Sequence, residues 1–225
     1  MTNGQRPAAG TTARGRESIS RQRVIDAAIQ CILDQGLYRA SSNAIAERAG
    51  VSWGVIQYHF GTREALMVAV LEEGTQRLGT LLLGAEITGA TVTERVAQYM
   101  DILGRYYGSP DYLAFTQVLI NLTHDPRTSQ RAREAMARIS ESANPELNRL
   151  QRRVLAGTGI RRPAVKALLF HSLRGLALSH VMLGLLPQHE PKGYPEQQAL
   201  LAQALGLLIE AQGTSRSPGA AAGKV

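Results

Sequence analysis

The chain has 225 residues, of which 44% are hydrophobic and 19% are charged, and these proportions exclude a disordered chain. Its single cysteine, Cys31, excludes a disulfide scaffold, and its apolar helical surroundings favour a packing role in a reducing, cytoplasmic setting. The net charge is +7, and five arginines against one glutamate fall within residues 1–23. Such a basic arm is either a solvated tail or, beside a DNA-reading unit, a means of raising affinity through counterion release.

Four helices are predicted between residues 18 and 70, because apolar residues recur there at helical spacing between recognisable ends. The predicted caps are hydroxyl residues and the predicted ends are glycines: Ser41 or Ser42, Ser52 and Thr62 for the caps, Gly36 and Gly50 for the ends. No segment alternates polar and apolar residues over a useful length. The pattern therefore predicts no strand.

Residues beyond Leu83 predict five further helical segments, which gives about nine helices in total. The segment 127–155 contains Pro145, but one apolar seam runs through it and predicts a single kinked helix. The segment 164–186 is apolar on nearly every side and must be covered all round. Because charged residues and histidines interrupt this segment, we expect a soluble protein without a membrane span.

Residues 44–60, AIAERAGVSWGVIQYHF, have the pattern of a helix-turn-helix. Ala46 and Ala49 are small enough for two helices to cross closely, and Gly50 allows a left-handed turn. The pattern leaves two aromatic residues and an amide on the outside: Trp53, Tyr58 and Gln57. An outward aromatic pair indicates a surface that a partner covers, although an ordinary helical corner is the alternative on pattern alone.

Matching residues extend from about Arg21 to Val70. They comprise a first helix ending in Gly36, the run IAERAGVS at 45–52, the run YHF at 58–60 and the run GTREAL at 61–66. This combination resembles the TetR family of bacterial one-component regulators. Two positions depart from the family pattern, since Ser41 replaces the usual threonine and Gln57 the usual tyrosine. Serine preserves the helix cap, whereas an amide in place of a phenol should alter which DNA sequence is recognised.

The resemblance implies an all-α fold, with an N-terminal three-helix helix-turn-helix DNA-binding domain followed by a helical ligand-binding and dimerisation domain. We expect a disordered basic arm (1–17), the DNA-binding domain (18–61), the effector-binding and dimerisation domain (62–212) and a disordered tail (213–225). The function implied is that of a cytoplasmic, ligand-responsive transcriptional repressor that binds a palindromic operator as a homodimer. An activator of the same fold is the alternative, since activation depends on where the operator lies.

Carried over by position, three groups of residues would meet the double-stranded DNA operator. Ser41, Ser42 and Asn43 would meet the backbone or a base edge. The predicted phosphate contacts are Ser52, Val55, Tyr58, His59 and Arg63. The residues nearest the bases would be Trp53, Gly54 and Gln57, of which Gln57 can pair with adenine and Trp53 can cover a thymine methyl.

Two of the predicted phosphate contacts could also serve the fold. His59 is either a phosphate contact or a bridge between the third and fourth helices. Arg63 lies in the first turn of a helix, where a cation is electrostatically unfavourable unless an anion lies nearby, and this favours a phosphate contact.

An unknown, mainly apolar effector would bind among the later helices. The candidate lining residues, each of which can equally be core, are Tyr99, Leu103, Tyr107, Phe115, Leu119, Phe170, His171, Arg174 and Met182. Arg174 interrupts the most apolar helix, so it meets either a ligand anion or an internal carboxylate such as Asp101, and we favour the carboxylate. The homodimer is expected to form by pairing segments 164–186 and 196–212 with their symmetry mates, with Leu201 and Leu205 in the interface.

Other classes of protein find less support in the sequence. No HExxH, CxxC or strand-linked GxGxxG motif is present, so we expect no enzyme, no cofactor and no metal. His171 and His180 are nine residues apart and fall on different sides of a helix, which argues against a shared metal. An α-helical enzyme is the competing class, and turnover by the purified protein would identify it.

Overall fold

The computed structural model describes residues 13–142, 144–184 and 193–214, and all regular secondary structure within them is helical. The helices, in chain order, are α1 (Ala13–Gln35), α2 (Ser42–Ala49), α3 (Trp53–Phe60), α4 (Arg63–Leu83), α5 (Val92–Tyr107), α6 (Pro110–His124), α7 (Gln130–Ser142), α8 (Asn144–Val154), α9 (Pro163–Gly184) and α10 (Tyr194–Thr214). The predicted all-α fold class is confirmed.

The caps of the short helices follow from the sequence. The Ser41 side chain accepts a hydrogen bond from the backbone N–H of Ala44 at 3.2 Å, which identifies Ser41 as the cap of α2. Gly50 ends α2 with φ of 62°, a left-handed conformation that glycine adopts without steric cost. Thr62 caps α4 through the N–H of Ala65 at 3.0 Å. Ser52 precedes α3 but makes no side-chain cap bond.

Two apolar cores lie one after the other along α4. The first joins α1, α2 and α3 to the N-terminal half of α4, and it also takes in residues of α6 and α7 such as Val118 and Ala132. The second joins the C-terminal half of α4 to α5, α8, α9 and α10. The first core therefore crosses the predicted domain boundary at residues 61–62, and it packs α6 directly on α1, the helix that also contacts α2 and α3.

Three expectations need correction or lie partly outside the described residues. Helix α1 begins at Ala13, so residues 13–17 of the predicted disordered arm are helical, while 1–12 lie outside the described residues. One kinked helix was predicted over 127–155. The structure instead describes two helices there, α7 and α8, and residue 143 between them lies outside the described residues. Pro145 is the second residue of α8, where its missing N–H has no intrahelical acceptor to lose. Helix α10 runs to Thr214, two residues into the predicted tail, and 215–225 lie outside the described residues.

Helix α9 buries only one seam within the chain. That seam consists of Val165, Leu169, Leu173 and Ala177. Leu168 and Met182 on its other sides are 44% and 56% exposed. By length and composition alone α9 could cross a membrane, but a single helix of this kind is weak evidence for a membrane span.

Candidate nucleic-acid interface

Helices α2 and α3 form a helix-turn-helix that packs on α1. The buried residues of α2 are Ile45, Ala46 and Ala49, and α3 buries Ile56 alone. The backbone N–H of Val51 donates to the carbonyl of Ala46 at 3.0 Å, which closes the turn. Small residues on α2 and one buried residue on α3 hold the motif together, so most of α3 lies at the surface, where a partner can reach it.

The exposed surface of α3 is aromatic and polar. Trp53 is 44% exposed and Tyr58 is 72% exposed, and Gly54 and Gln57 are exposed beside them. We name these four residues the α3 reading face. The structure thus exposes the three side chains that the sequence placed outward, although their contact with DNA stays a prediction.

The other predicted contact residues surround this face. Ser41, Asn43 and Ser52 are exposed, whereas Ser42, Val55 and His59 are half-buried. The His59 ring lies edge-on to Tyr58 at 5.2 Å and to Phe60 at 6.1 Å between ring centroids. Both assignments of His59, phosphate contact and helix bridge, stay predictions.

Arg63 has a different environment from the one the sequence predicted. Its Nη2 donates to the carbonyl of Leu37 at 2.7 Å, and its Nε donates to the carbonyl of Ala40 at 3.3 Å. Burial lowers the pKa of this guanidinium. Two carbonyl dipoles of the α1–α2 loop thus compensate the charge of Arg63 within the chain, so its place in the first turn of α4 does not require an external anion. These bonds tie the start of α4 to the α1–α2 loop, and a contact of Arg63 with phosphate stays a prediction.

The same loop is attached to α6. The backbone N–H of Leu37 donates to Oε1 of Gln117 at 3.3 Å. Further along, Arg77 of α4 contacts Asp26 of α1 at 2.9 Å and also pairs with Asp111 of α6. Hydrogen bonds, ion pairs and the first core thus connect α1 to α4 and α6.

A cavity of about 190 Å³ lies between α4, α5, α6, α7 and α9. Its lining is mostly aromatic and apolar: Thr75, Leu78, Tyr106, Tyr107, Tyr112, Phe115, Leu119, Met136, Ile139, Ser140 and Arg174. Four of the predicted lining residues are among them: Tyr107, Phe115, Leu119 and Arg174.

The other predicted lining residues lie elsewhere. Tyr99 and Leu103 are completely buried in the second core, where the Tyr99 hydroxyl accepts a hydrogen bond from Nε2 of Gln151 at 3.2 Å. Phe170 packs edge-on against Tyr107 behind the cavity wall, at 5.8 Å between centroids. His171 and Met182 are exposed on α9. The face that α5 and α9 present to the cavity is set by their neighbours, so apolar spacing alone could not select it.

Tyr106 and Tyr112 are cavity residues that the sequence analysis missed. With Tyr107 they place three of the chain's seven tyrosines within residues 106–112. This concentration is the signal that could have found them.

Arg174 does not pair with the predicted carboxylate. Asp101 instead accepts a hydrogen bond from Nε2 of Gln198 at 2.8 Å, on the side of α5 that faces α10. The Arg174 guanidinium lies over the Tyr112 ring, 5.8 Å from its centroid. Among the residues that the structure describes, no carboxylate lies within salt-bridge distance of Arg174.

Comparison with known proteins agrees with this architecture. The sequence model of bacterial regulatory proteins of the tetR family matches residues 24–70, which span α2, α3 and adjoining parts of α1 and α4. A solved transcriptional regulator from Rhodococcus sp. Rha1 aligns with 85% of this chain and 95% of its own, at 25% identity and a TM-score of 0.57. Helices α1 to α4 thus contain a TetR-family domain, at residues 24–70.

Curated relatives match only part of this chain. The HTH-type transcriptional regulator BetI of Rhizobium meliloti (strain 1021) is 34% identical over 83 residues, which are 37% of this chain and 41% of the relative. BetI of Escherichia coli (strain K12 / DH10B) is 36% identical over 69 residues, 31% of this chain and 35% of the relative. The chain thus covers about two fifths or less of the length of these relatives.

The fold likeness extends further. A structure of the multidrug binding protein EbrR complexed with imidazole aligns with 82% of this chain and 93% of its own, at 22% identity and a TM-score of 0.52. At this identity the likeness concerns the fold alone, and it includes the later helices of the chain.

Those later helices leave apolar residues uncovered. On α10, Leu200 is 57% exposed and Leu207 is 65% exposed, whereas Leu205 is only 5% exposed against the second core. Leu201 is half-buried. The assignment of Leu205 to the dimer interface is therefore wrong, since Leu205 packs inside the chain, whereas that of Leu201 stays a prediction. The uncovered residues Leu168, Met182, Leu200, Leu207 and Leu208 form what we name the α9–α10 face.

Proposed function

We propose that this chain is a cytoplasmic transcriptional repressor of the TetR family that binds a palindromic DNA operator as a homodimer and leaves it when a small effector binds. The observation that carries the proposal is the α3 reading face. The buried Ile56 fixes the helix on the first core, whereas Trp53, Gln57 and Tyr58 are exposed on the other side of α3 and are not part of that core.

The chemistry of this face suits a DNA major groove. The amide of Gln57 can donate to and accept from an adenine edge, and the Trp53 ring can cover a thymine methyl. The half-buried Arg63 is directed to the α1–α2 loop, and this favours a role in fixing the start of α4 on that loop over a phosphate contact. Base contacts and positioning contacts therefore come from different residues.

The α9–α10 face supports the homodimer. Its exposed leucines carry no hydrogen-bonding group, and pairing with a second copy would form a four-helix bundle of α9 and α10 with their symmetry mates. A two-fold dimer presents two α3 helices, which enter successive major grooves when their centres are roughly 34 to 36 Å apart. This symmetry requires a palindromic operator.

The cavity supports effector control. It is bounded by α4 and α6, and the same two helices hold the α1–α2 loop through Arg63 and Gln117. The structures of EbrR, a protein of the same fold, are complexes with imidazole and ethidium. A ligand that moves α4 or α6 would change the distance between the two reading helices and release the DNA.

A selection from random DNA duplexes tests the proposal. The full-length protein is expected to enrich a palindromic sequence, and the Gln57→Ala protein is expected to enrich it without a preference at one base pair in each half-site. Enrichment of no sequence by the wild type would contradict the proposal. A promoter fusion carrying the selected operator then tells repression from activation by the direction of the change.

A further inference from the structure

The cavity holds an arrangement of polar groups that the fold itself does not use. The hydroxyls of Tyr106, Tyr107 and Tyr112 make no hydrogen bond with any described protein group, and none of them is a sealed, unsatisfied buried atom. Arg174 lies over Tyr112 without a carboxylate partner in the described part of the chain. Three phenols and one guanidinium thus border a space in which, among the described residues, no protein group accepts a hydrogen bond from the phenols and no carboxylate pairs with the guanidinium.

Among the residues that line this space the only full charge is positive, and the carboxylate that acts on Tyr106 from outside the lining, that of Asp111, is paired with Arg77. No Asp or Glu lines the cavity, and Arg174 is its sole ionisable cation among the lining residues. Burial raises the pKa of Tyr106 and of Tyr107 above the ordinary range of a phenol, so both hydroxyls stay protonated and can donate. A half-buried guanidinium with phenol donors beside it is complementary to an anion.

The other lining residues are aromatic or aliphatic, and they favour a ligand whose uncharged part is an apolar ring. Tyr107 and Tyr112 lie edge-on at 4.8 Å between centroids, and Tyr112 stacks on Phe115 at 5.8 Å. Leu78, Leu119 and Ile139 complete an apolar lining that a hydrated inorganic ion would not match. The volume of about 190 Å³ is below the range of roughly 300 to 1,000 Å³ that is typical for drug-sized ligands.

We propose that the effector cavity takes a compact aromatic carboxylate, with the carboxylate on Arg174 and the Tyr106 and Tyr107 hydroxyls and the ring among Tyr112 and Phe115. This inference rests on the proposed function, because it names the chemical class of the effector. Arg174 is then a specificity residue, and its contact with the Tyr112 ring holds the guanidinium in place for the acid.

Calorimetric titration with matched acids and amides tests the proposal. The probes are benzoate, 4-hydroxybenzoate and the neutral benzamide, and the proteins are the wild type, Arg174→Gln, Arg174→Lys and the control Arg152→Gln. Arg152 is exposed on α8 and does not line the cavity. We expect at least one acid to bind the wild type at least tenfold more tightly than benzamide. That preference should be lost in Arg174→Gln, partly kept in Arg174→Lys and unchanged in Arg152→Gln.

Several results would overturn the proposal. These are equal binding of the acids to Arg174→Gln and wild type, benzamide binding as tightly as benzoate, inorganic phosphate binding as tightly as both acids, or no binding of either acid at millimolar concentration. Circular dichroism checks that the variants fold, and Arg174→Lys provides the test if Arg174→Gln does not.

DNA binding measured on the same proteins separates this inference from the proposed function. Arg174-dependent binding of an acid by a protein that selects no DNA sequence would refute the regulator and keep the cavity assignment. Sequence-selective DNA binding without Arg174-dependent acid binding would refute the cavity assignment and keep the regulator.

Discussion

Helices α3 and α10 both expose large hydrophobic side chains, but the chemistry of the two surfaces differs. On α3 the exposed residues are Trp53 and Tyr58, with the amide of Gln57 beside them. On α10 they are leucines, at positions 200 and 207 among others. Aromatic rings with polar atoms can stack and form hydrogen bonds on a wet, polar partner, whereas leucines gain free energy only by leaving water. A group of exposed large side chains on one helix indicates a partner surface, and the side-chain type favours DNA for α3 and protein for α10.

The largest effect that follows from this comparison is on assembly. Leu200→Glu combined with Leu207→Glu should convert the dimer to monomers, because pairing would bury two carboxylates without partners in each chain. The change is measured by analytical ultracentrifugation at micromolar concentration. Ile120→Glu is the matched control, since Ile120 of α6 is 56% exposed outside the α9–α10 face. A wild type that sediments as a monomer would contradict the expectation.

Leu205→Glu tests the opposite side of α10, where a charge should affect folding of the chain and not its assembly. Leu205 is 5% exposed in the second core, so a carboxylate there should lower the free energy of unfolding of the chain itself by about 3 kcal/mol or more. Urea denaturation measures the loss. If Leu205→Glu folded normally and only dissociated, the assigned orientation of α10 would be wrong.

Arg63→Ala tests what holds the reading helix in place. Two hydrogen bonds from its guanidinium to the Leu37 and Ala40 carbonyls would be lost, at about 1 to 3 kcal/mol in the free energy of unfolding. DNA binding should weaken for all sequences alike, while the slope of log affinity against log salt stays unchanged. A slope lowered by about one unit would instead show that Arg63 contacts phosphate.

Gln57→Ala tests the reading face without disturbing the fold, because Gln57 is exposed. Loss of an adenine contact should cost about 1 to 3 kcal/mol on the selected operator and little on a scrambled duplex. Fluorescence anisotropy with both duplexes measures the difference, and Gln30→Ala, an exposed position on α1, is the control. Equal weakening on both duplexes would contradict a role in base recognition.

The smallest effect concerns the turn. Gly50 has φ of 62°, so Gly50→Ala should destabilise the chain by about 1 kcal/mol. Gly79 lies within α4, and a methyl group added there would meet no neighbouring side chain or other helix within 4 Å, so Gly79→Ala should stabilise by about 0.5 to 1 kcal/mol. Thermal unfolding compares the two. Equal effects of the same sign would contradict the conformational argument.

Local signals explain which features the sequence could predict. The caps at Ser41 and Thr62 and the turn at Gly50 depend on residues within four positions of one another, so their chemistry is visible in the chain itself. The outward position of Gln57 follows in the same way from the spacing of α3.

Other features depend on contacts between distant segments. Helix α10 has leucines on several sides, so its pattern could not tell that Leu205 faces inward and Leu207 outward. The partners of Arg63 are backbone carbonyls. Because every residue has a carbonyl, the residue types in the sequence could not indicate these partners. Likewise, Tyr106 lines the cavity and Tyr99 does not because of where α6 and α9 pack on α5.

The central claim is that two copies of α3, fixed by the α9–α10 dimer, read a palindrome together. Binding of the full-length protein to the selected operator and to its isolated half-site, measured by anisotropy with stoichiometry from native mass spectrometry, tests this most directly. We expect two chains on the full operator and binding to the half-site that is weaker by a factor of about 100 or more. One chain per duplex, with equal affinity for operator and half-site, would contradict the claim.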